Sequence, residues 1–210
     1  MQELPKLLCE MVVFLQRQNL LLSRSSRDGR TNSAHNEDEI FELLKENFVI
    51  ERSKKRDWFD FSFEVDNIFY PINIKVSTMQ TRDNLNCKLG IYYALTGKLP
   101  NFDNEIKWAD FFEAIKYNLA ENSKDYYFLV VNKNNPSDTF ATSLKQLKDI
   151  KPEGNNLPFQ AKWNDNRELI QRDFNEAKDF ILGVMGQSLA LRAKTYSEFL
   201  ERFPEFKADL

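Results

Sequence analysis

A chain of 210 residues that is 42% hydrophobic and 13% aromatic carries enough apolar surface for one sizeable core, which excludes a disordered or repeat protein. The net charge of −3 offers a polyanion no overall attraction, so nucleic-acid binding has to come from local clusters of cations. One histidine, His35, and two isolated thiols, Cys9 and Cys87, exclude zinc sites and histidine-dependent triads, which leaves catalysis to carboxylates, amides and lysines.

Residues 3–21 predict a helix with Leu4, Leu8, Met11 and Leu15 on a broad apolar face, either core or dimer surface. Residues 23–33 predict a polar loop in which Arg24, Arg27, Arg30 and Asn32 are suited to DNA contact. Residues 37–47 predict an amphipathic helix with Ile40, Phe41 and Leu44 on its stripe. Glu37 falls on that stripe, where an acid is out of place without a role, and Glu39 is the second choice on the neighbouring face. A strand near 48–52 leads into a basic segment, 51–57, whose Lys54 and Lys55 suit phosphate binding.

The stretch that follows organises the chain. Two runs of alternating aromatic or β-branched residues, 58–65 and 68–76, flank Asp66-Asn67, and Asx residues tolerate the positive φ of a tight hairpin turn. Alternation places Asp60 on one face of the first strand, and Asn73 with Lys75 on one face of the second. A register that sets Asp60 across from Asn73 and Lys75 brings a carboxylate, an amide and an ammonium together.

Ser77, Thr78, Gln80, Thr81, Arg82, Asn84, Asn86 and Lys88 then form a stretch dense in hydrogen-bonding side chains, the first candidate for base readout. A helix over 89–95 ends at Gly97, and residues 105–120 predict another. Residues 126–131 are continuously apolar, as in a central strand buried on both sides. A strand at 139–141, a Ser143-capped turn, a segment at 159–163 and a helix at 172–192 follow. In that helix Gly183 and Gly186 predict close packing, and Phe199, Phe203 and Phe206 are expected to dock on the body.

An acid on one strand, a turn, then acid-x-Lys on the next resembles the PD-(D/E)xK nucleases, here through Asp60 and Asn73-Ile74-Lys75, with Glu37 as the helical acid. The element order along most of the chain resembles type II restriction endonucleases. The resemblance implies an α/β fold with a restriction-endonuclease-like mixed central sheet flanked by helices. It implies one nuclease domain over 1–210, with an N-terminal helix at 1–22, a catalytic core at 37–132 and C-terminal strands and helices at 138–210. It further implies sequence-specific cleavage of double-stranded DNA with magnesium, or manganese as a substitute, held by Asp60, Asn73, the Ile74 carbonyl and Glu37, with Lys75 stabilising charge. A homodimer on a two-fold DNA site and a cognate DNA methyltransferase are the partners it implies. Asn73 stands where the family has Asp or Glu, either as a natural variant compensated by Glu37 or as an Asp→Asn change. The alternatives are a nuclease-like DNA-binding protein with an impaired metal site and a repair or junction nuclease of the same superfamily. No run approaches the ~20 apolar residues that span a bilayer, and the N-terminus lacks a signal-peptide pattern, so a cytoplasmic protein with no membrane partner is expected.

Overall fold

The computed structural model describes residues 3–18, 20, 22, 29–54, 57–102 and 106–208, with the backbone alone for 29–34. Two helices, α1 (Lys6–Gln16) and α2 (Gly29–Lys45), precede β1 (Glu51–Arg52) and the hairpin β2 (Phe61–Val65) and β3 (Ile68–Ser77). Next come β4 (Arg82–Leu85), α3 (Lys88–Thr96), α4 (Trp108–Asn118), β5 (Tyr127–Asn132) and β6 (Thr139–Ser143). β7 (Lys151–Pro152), β8 (Phe159–Lys162) and α5 (Phe174–Arg202) complete the fold. The result is a mixed α/β architecture, in which helices flank a five-stranded sheet of order β1-β2-β3-β5-β6 and a three-stranded sheet runs β4-β8-β7.

The hairpin turns at Asp66 (φ 52°) and Asn67 (φ 60°), both in the left-handed region that matches the twist of the flanking strands. β3 then pairs in parallel with β5, Ile72 opposite Tyr127 and Lys75 opposite Val130. A parallel neighbour requires a long crossover, and β4, α3 and α4 supply it. As expected, β5 is buried along nearly its whole length.

Alternation divides the core in two. Phe61, Ile72, Ile74, Val76 and Leu129 face α1 and α2, against Leu8, Met11, Leu15, Ile40 and Leu44. Tyr126, Phe128 and Val130 face the other way, against Ile91, Phe111, Trp163, Ile181 and Met185. α1 is therefore a core helix along Leu8, Met11 and Leu15. Asp125, buried at the entrance to β5, accepts bonds from the Tyr126 and Lys145 backbone N–H groups. Burial pushes its carboxyl up to about 6, against the pull of Lys145.

Four expectations are corrected. α2 begins at Gly29, so Arg30 and Asn32 belong to a helix and not to a loop; Arg24, Arg27 and Lys55 lie outside the described residues. The polar stretch after β3 is partly a strand, β4, because it finds a distant partner in β8. At Gly183 and Gly186 a Cβ would meet nothing within 4 Å, so these glycines mark no close packing. Phe199, Phe203 and Phe206 are 42%, 47% and 63% exposed and stack on one another instead of docking on the body. No helix among the described residues is long and apolar enough to cross a membrane.

Glycine positions separate packing from propensity. A Cβ at Gly90 would lie 2.6 Å from the Tyr126 ring, so Gly90→Ala should lower the unfolding free energy by about 1–3 kcal/mol. Gly183→Ala and Gly186→Ala enter open space in a helix and should each raise it by about 1 kcal/mol. Urea midpoints of the three variants against the parent check both signs.

Candidate functional site

The site forms where the hairpin meets α2 and β5. Asp60 sits one residue ahead of β2, with its N–H bonded to the Ile72 carbonyl at 2.9 Å. Its Oδ2 accepts the Ile74 backbone N–H at 2.6 Å. The carboxylate is thereby held on the β3 backbone, with Lys75 near enough for its ammonium to pull on it.

Two cavities result. A cleft of about 620 Å³ is lined by Glu37, Asp38, Arg52, Lys54, Asp57, Asp60 and Ile74, with Phe41 and Phe59 as apolar walls. A smaller cavity of about 200 Å³ holds Asn73 and Lys75 beside Trp58, Asn86, Cys87, Tyr126 and Phe128. Asp57 borders both. The structure thus brings Glu37 and Asp60 into one cleft, and sets Asn73 and Lys75 in its neighbour.

Four carboxylates against two cations leave the larger cleft electronegative. Arg52 is already engaged, ion-paired with Asp38 and with Glu42 at 2.9 Å, its guanidinium 4.7 Å above the Phe41 ring. Burial raises the Asp60 carboxyl above the ordinary carboxylate range. The Ile74 N–H and the nearby Lys75 ammonium pull the other way without reversing it, and Asp38 adds to the rise. A bound cation would remove that penalty.

Asn73 and Lys75 are the polar interruptions on a face of β3 whose neighbours on β5 are Phe128 and Val130. The Asn73 Oδ1 is buried with no hydrogen-bond partner, and an orphaned acceptor of this kind costs about 1–3 kcal/mol unless a ligand meets it. Beside it the Tyr126 hydroxyl donates to the Trp58 carbonyl at 2.6 Å and is held protonated chiefly by burial. Burial likewise pushes the Cys87 thiol up to about 12, which rules out a thiolate nucleophile at neutral pH. Among the described residues no three His, Cys, Asp or Glu gather as metal ligands. What the site offers is two carboxylates, an amide oxygen and a backbone carbonyl. Magnesium commonly takes one or two carboxylates with waters and phosphate oxygens, so the donor set fits.

The other candidates divide. Lys54 lines the cleft and is exposed, and Asn86 is exposed beside Lys75. Gln80, Thr81 and Arg82 are exposed and Asn84 is half-buried. Thr78 bonds Thr81 through their hydroxyls at 3.0 Å across a turn with Met79 at φ 68°. Ser77 is buried and its hydroxyl accepts the Met79 N–H at 3.3 Å, so it does not face a partner. Lys88 donates to the Ile106 carbonyl at 3.0 Å over the Trp108 ring, which ties α3 to the approach to α4. Glu39 is paired with His35 at 3.3 Å and is not among the residues lining the cleft, whose acids from α2 are Glu37 and Asp38. Asp57 and Asp38 were not anticipated. Asp57 closes a run of cations that reads as a basic cluster, and Asp38 lies one position off the apolar stripe.

No family model matches the chain, and no curated protein matches it in sequence.

A raised carboxyl pKa means that the ionised form of Asp60 weighs against the fold above the carboxylate range. With metal removed by EDTA, Asp60→Asn should therefore raise the thermal midpoint at pH 8. The gain should shrink as pH falls and vanish once the carboxyl is protonated in both states. A lower midpoint at pH 8 would contradict the assignment.

Proposed function

We propose that the chain is a divalent-metal-dependent endonuclease of double-stranded DNA, with a restriction-endonuclease-like form of the PD-(D/E)xK core. The observation that carries this reading is the orphaned Asn73 Oδ1, buried beside Lys75 on β3 while Asp60 grips the same strand at Ile74. A helix bearing Glu37, the hairpin, and a parallel β5 after a crossover support the same reading.

Asp60, Glu37 and the Ile74 carbonyl are the oxygens that would hold magnesium or manganese in the larger cleft, with the Asn73 Oδ1 in the neighbouring cavity beside Lys75. Such a cation, when bound, polarises the phosphoryl group and lowers the pKa of an attacking water. Lys75 supplies a positive charge at the place where negative charge grows on the phosphate oxygens. Trp58, Tyr126 and Phe128 form the aromatic walls of the inner cavity beside that charge. Sequence specificity and a two-fold dimer, each subunit carrying one cleavage centre, belong to the same reading.

The neutral Asn73 favours one second reading, a DNA-binding protein of this fold with an impaired metal site. Incubation with plasmid and magnesium separates the two: discrete fragments support the nuclease, and intact DNA across many sequences overturns it. Asn73→Asp should preserve or raise cleavage by restoring a charged ligand. Lys75→Ala should lower turnover by about 100- to 1000-fold with DNA binding retained. Undiminished turnover would remove Lys75 from the mechanism.

A further inference from the structure

The three-stranded sheet has one apolar and one polar face. Leu85, Phe159 and Ala161 are buried in the core, and Asp83 on that side accepts the Trp163 indole N–H at 2.6 Å. Opposite strand partners share a face, so Arg82 and Lys162 stand together on the outside, as do Asn84 and Gln160, with Lys151 opposite Gln160 on β7. None of these five is buried.

Two details of this face point to a partner. Arg82 lies directly across from Lys162, and like charges so placed destabilise a sheet unless an anion joins them. Asp165 at 3.6 Å from Lys162 and Asp149 at 2.8 Å from Lys151 answer the lysines; Arg82 makes no ion pair among the described residues. Between the cations, Gln160 Nε2 donates to Asn84 Oδ1 at 2.8 Å. That bond fixes both amides and leaves Gln160 Oε1 as an acceptor beside the Asn84 N–H donor. An acceptor and a donor side by side complement the N6 donor and N7 acceptor of adenine in the major groove.

We infer that this sheet face is the base-reading surface of the protein, its Asn84–Gln160 amide pair reading an A·T pair and its cations holding the flanking phosphates. The inference rests on the proposed DNA binding. β4 and β8, which carry the amide pair, form a two-stranded ribbon of the kind that the roughly 12 Å major groove admits. β4 runs directly into Leu85, Asn86 and Cys87, which line the cavity of Lys75. At about 3.3 Å per residue, the base read by Asn84 lies within about two base-pair steps of the phosphate at that cavity.

The test is selection from a duplex library with a randomised core, in EDTA so that binding is read without cleavage. The parent protein should enrich a motif containing A·T. Asn84→Ala/Gln160→Ala should lose the preference at one A·T position, with about a 10- to 100-fold drop on the selected site. Arg82→Ala/Lys162→Ala should weaken binding to all sequences and flatten the slope of log K against log salt by about 0.9 for each phosphate no longer neutralised. Urea midpoints establish that each variant is folded, and Gln160→Glu, of equal size, repeats the test with a charge that repels DNA. Folded variants with unchanged preference and slope would overturn the inference, as would an acidic protein partner whose binding alone responds to them. Cleavage by magnesium-loaded protein is scored separately. A preference that depends on the amide pair, without cleavage, sinks the nuclease and leaves this surface standing. Cleavage with a preference independent of the pair does the reverse, and a parent that binds no duplex overturns both.

Discussion

β3 pairs antiparallel with β2 over Ile68–Ile72 and parallel with β5 over Ile72–Ser77, and the two pairings in succession fix its register. A slip of one residue would turn Ile72, Ile74 and Val76 away from α1 and α2 and set Asn73 and Lys75 against those helices. The strand therefore has one arrangement, in which two polar side chains emerge on an otherwise apolar face. The cavity around them, the grip of Asp60 on Ile74 and the start of β4 all inherit their positions from it.

The electrostatics of the site follow from the same geometry. Seating Asp60 against a central strand removes water from its carboxylate, and the nearest compensations are one backbone N–H and the Lys75 ammonium. Those are too weak to restore an ordinary carboxyl, and Asp38 works against them. A carboxylate seated this way is held at a cost that the rest of the fold offsets, as is common at functional sites. The overall charge of −3 is unevenly distributed: four acids line the cleft, whereas Arg82, Lys162 and Lys151 share one outer face.

The hairpin was readable from the chain because its signals are local: an Asp-Asn turn and alternating strands, with polar residues at 73 and 75 on the face opposite Ile72, Ile74 and Val76. The buried strand at 127–132 and the helix end at Gly97 were readable for the same reason. The first turns of α2 were not, since Gly29, Thr31, Asn32 and Ser33 are poor helix formers and tertiary context overrides them. β4 was hidden because Arg82-Asp83-Asn84 has no apolar alternation of its own and becomes a strand only by meeting β8. Asp57 was missed because its role depends on sitting between two cavities, which spacing along the chain does not reveal.

The parallel pairing of β3 with β5 carries a consequence for when the site exists at all. Asp60 and Lys75 leave the ribosome well before Tyr126 and Phe128, which close the inner cavity from the far side of a long crossover. Until that distant strand docks, the cavity around Asn73 and Lys75 lacks one of its walls. The enclosure is a product of the completed sheet, and no fragment that ends before β5 can contain it.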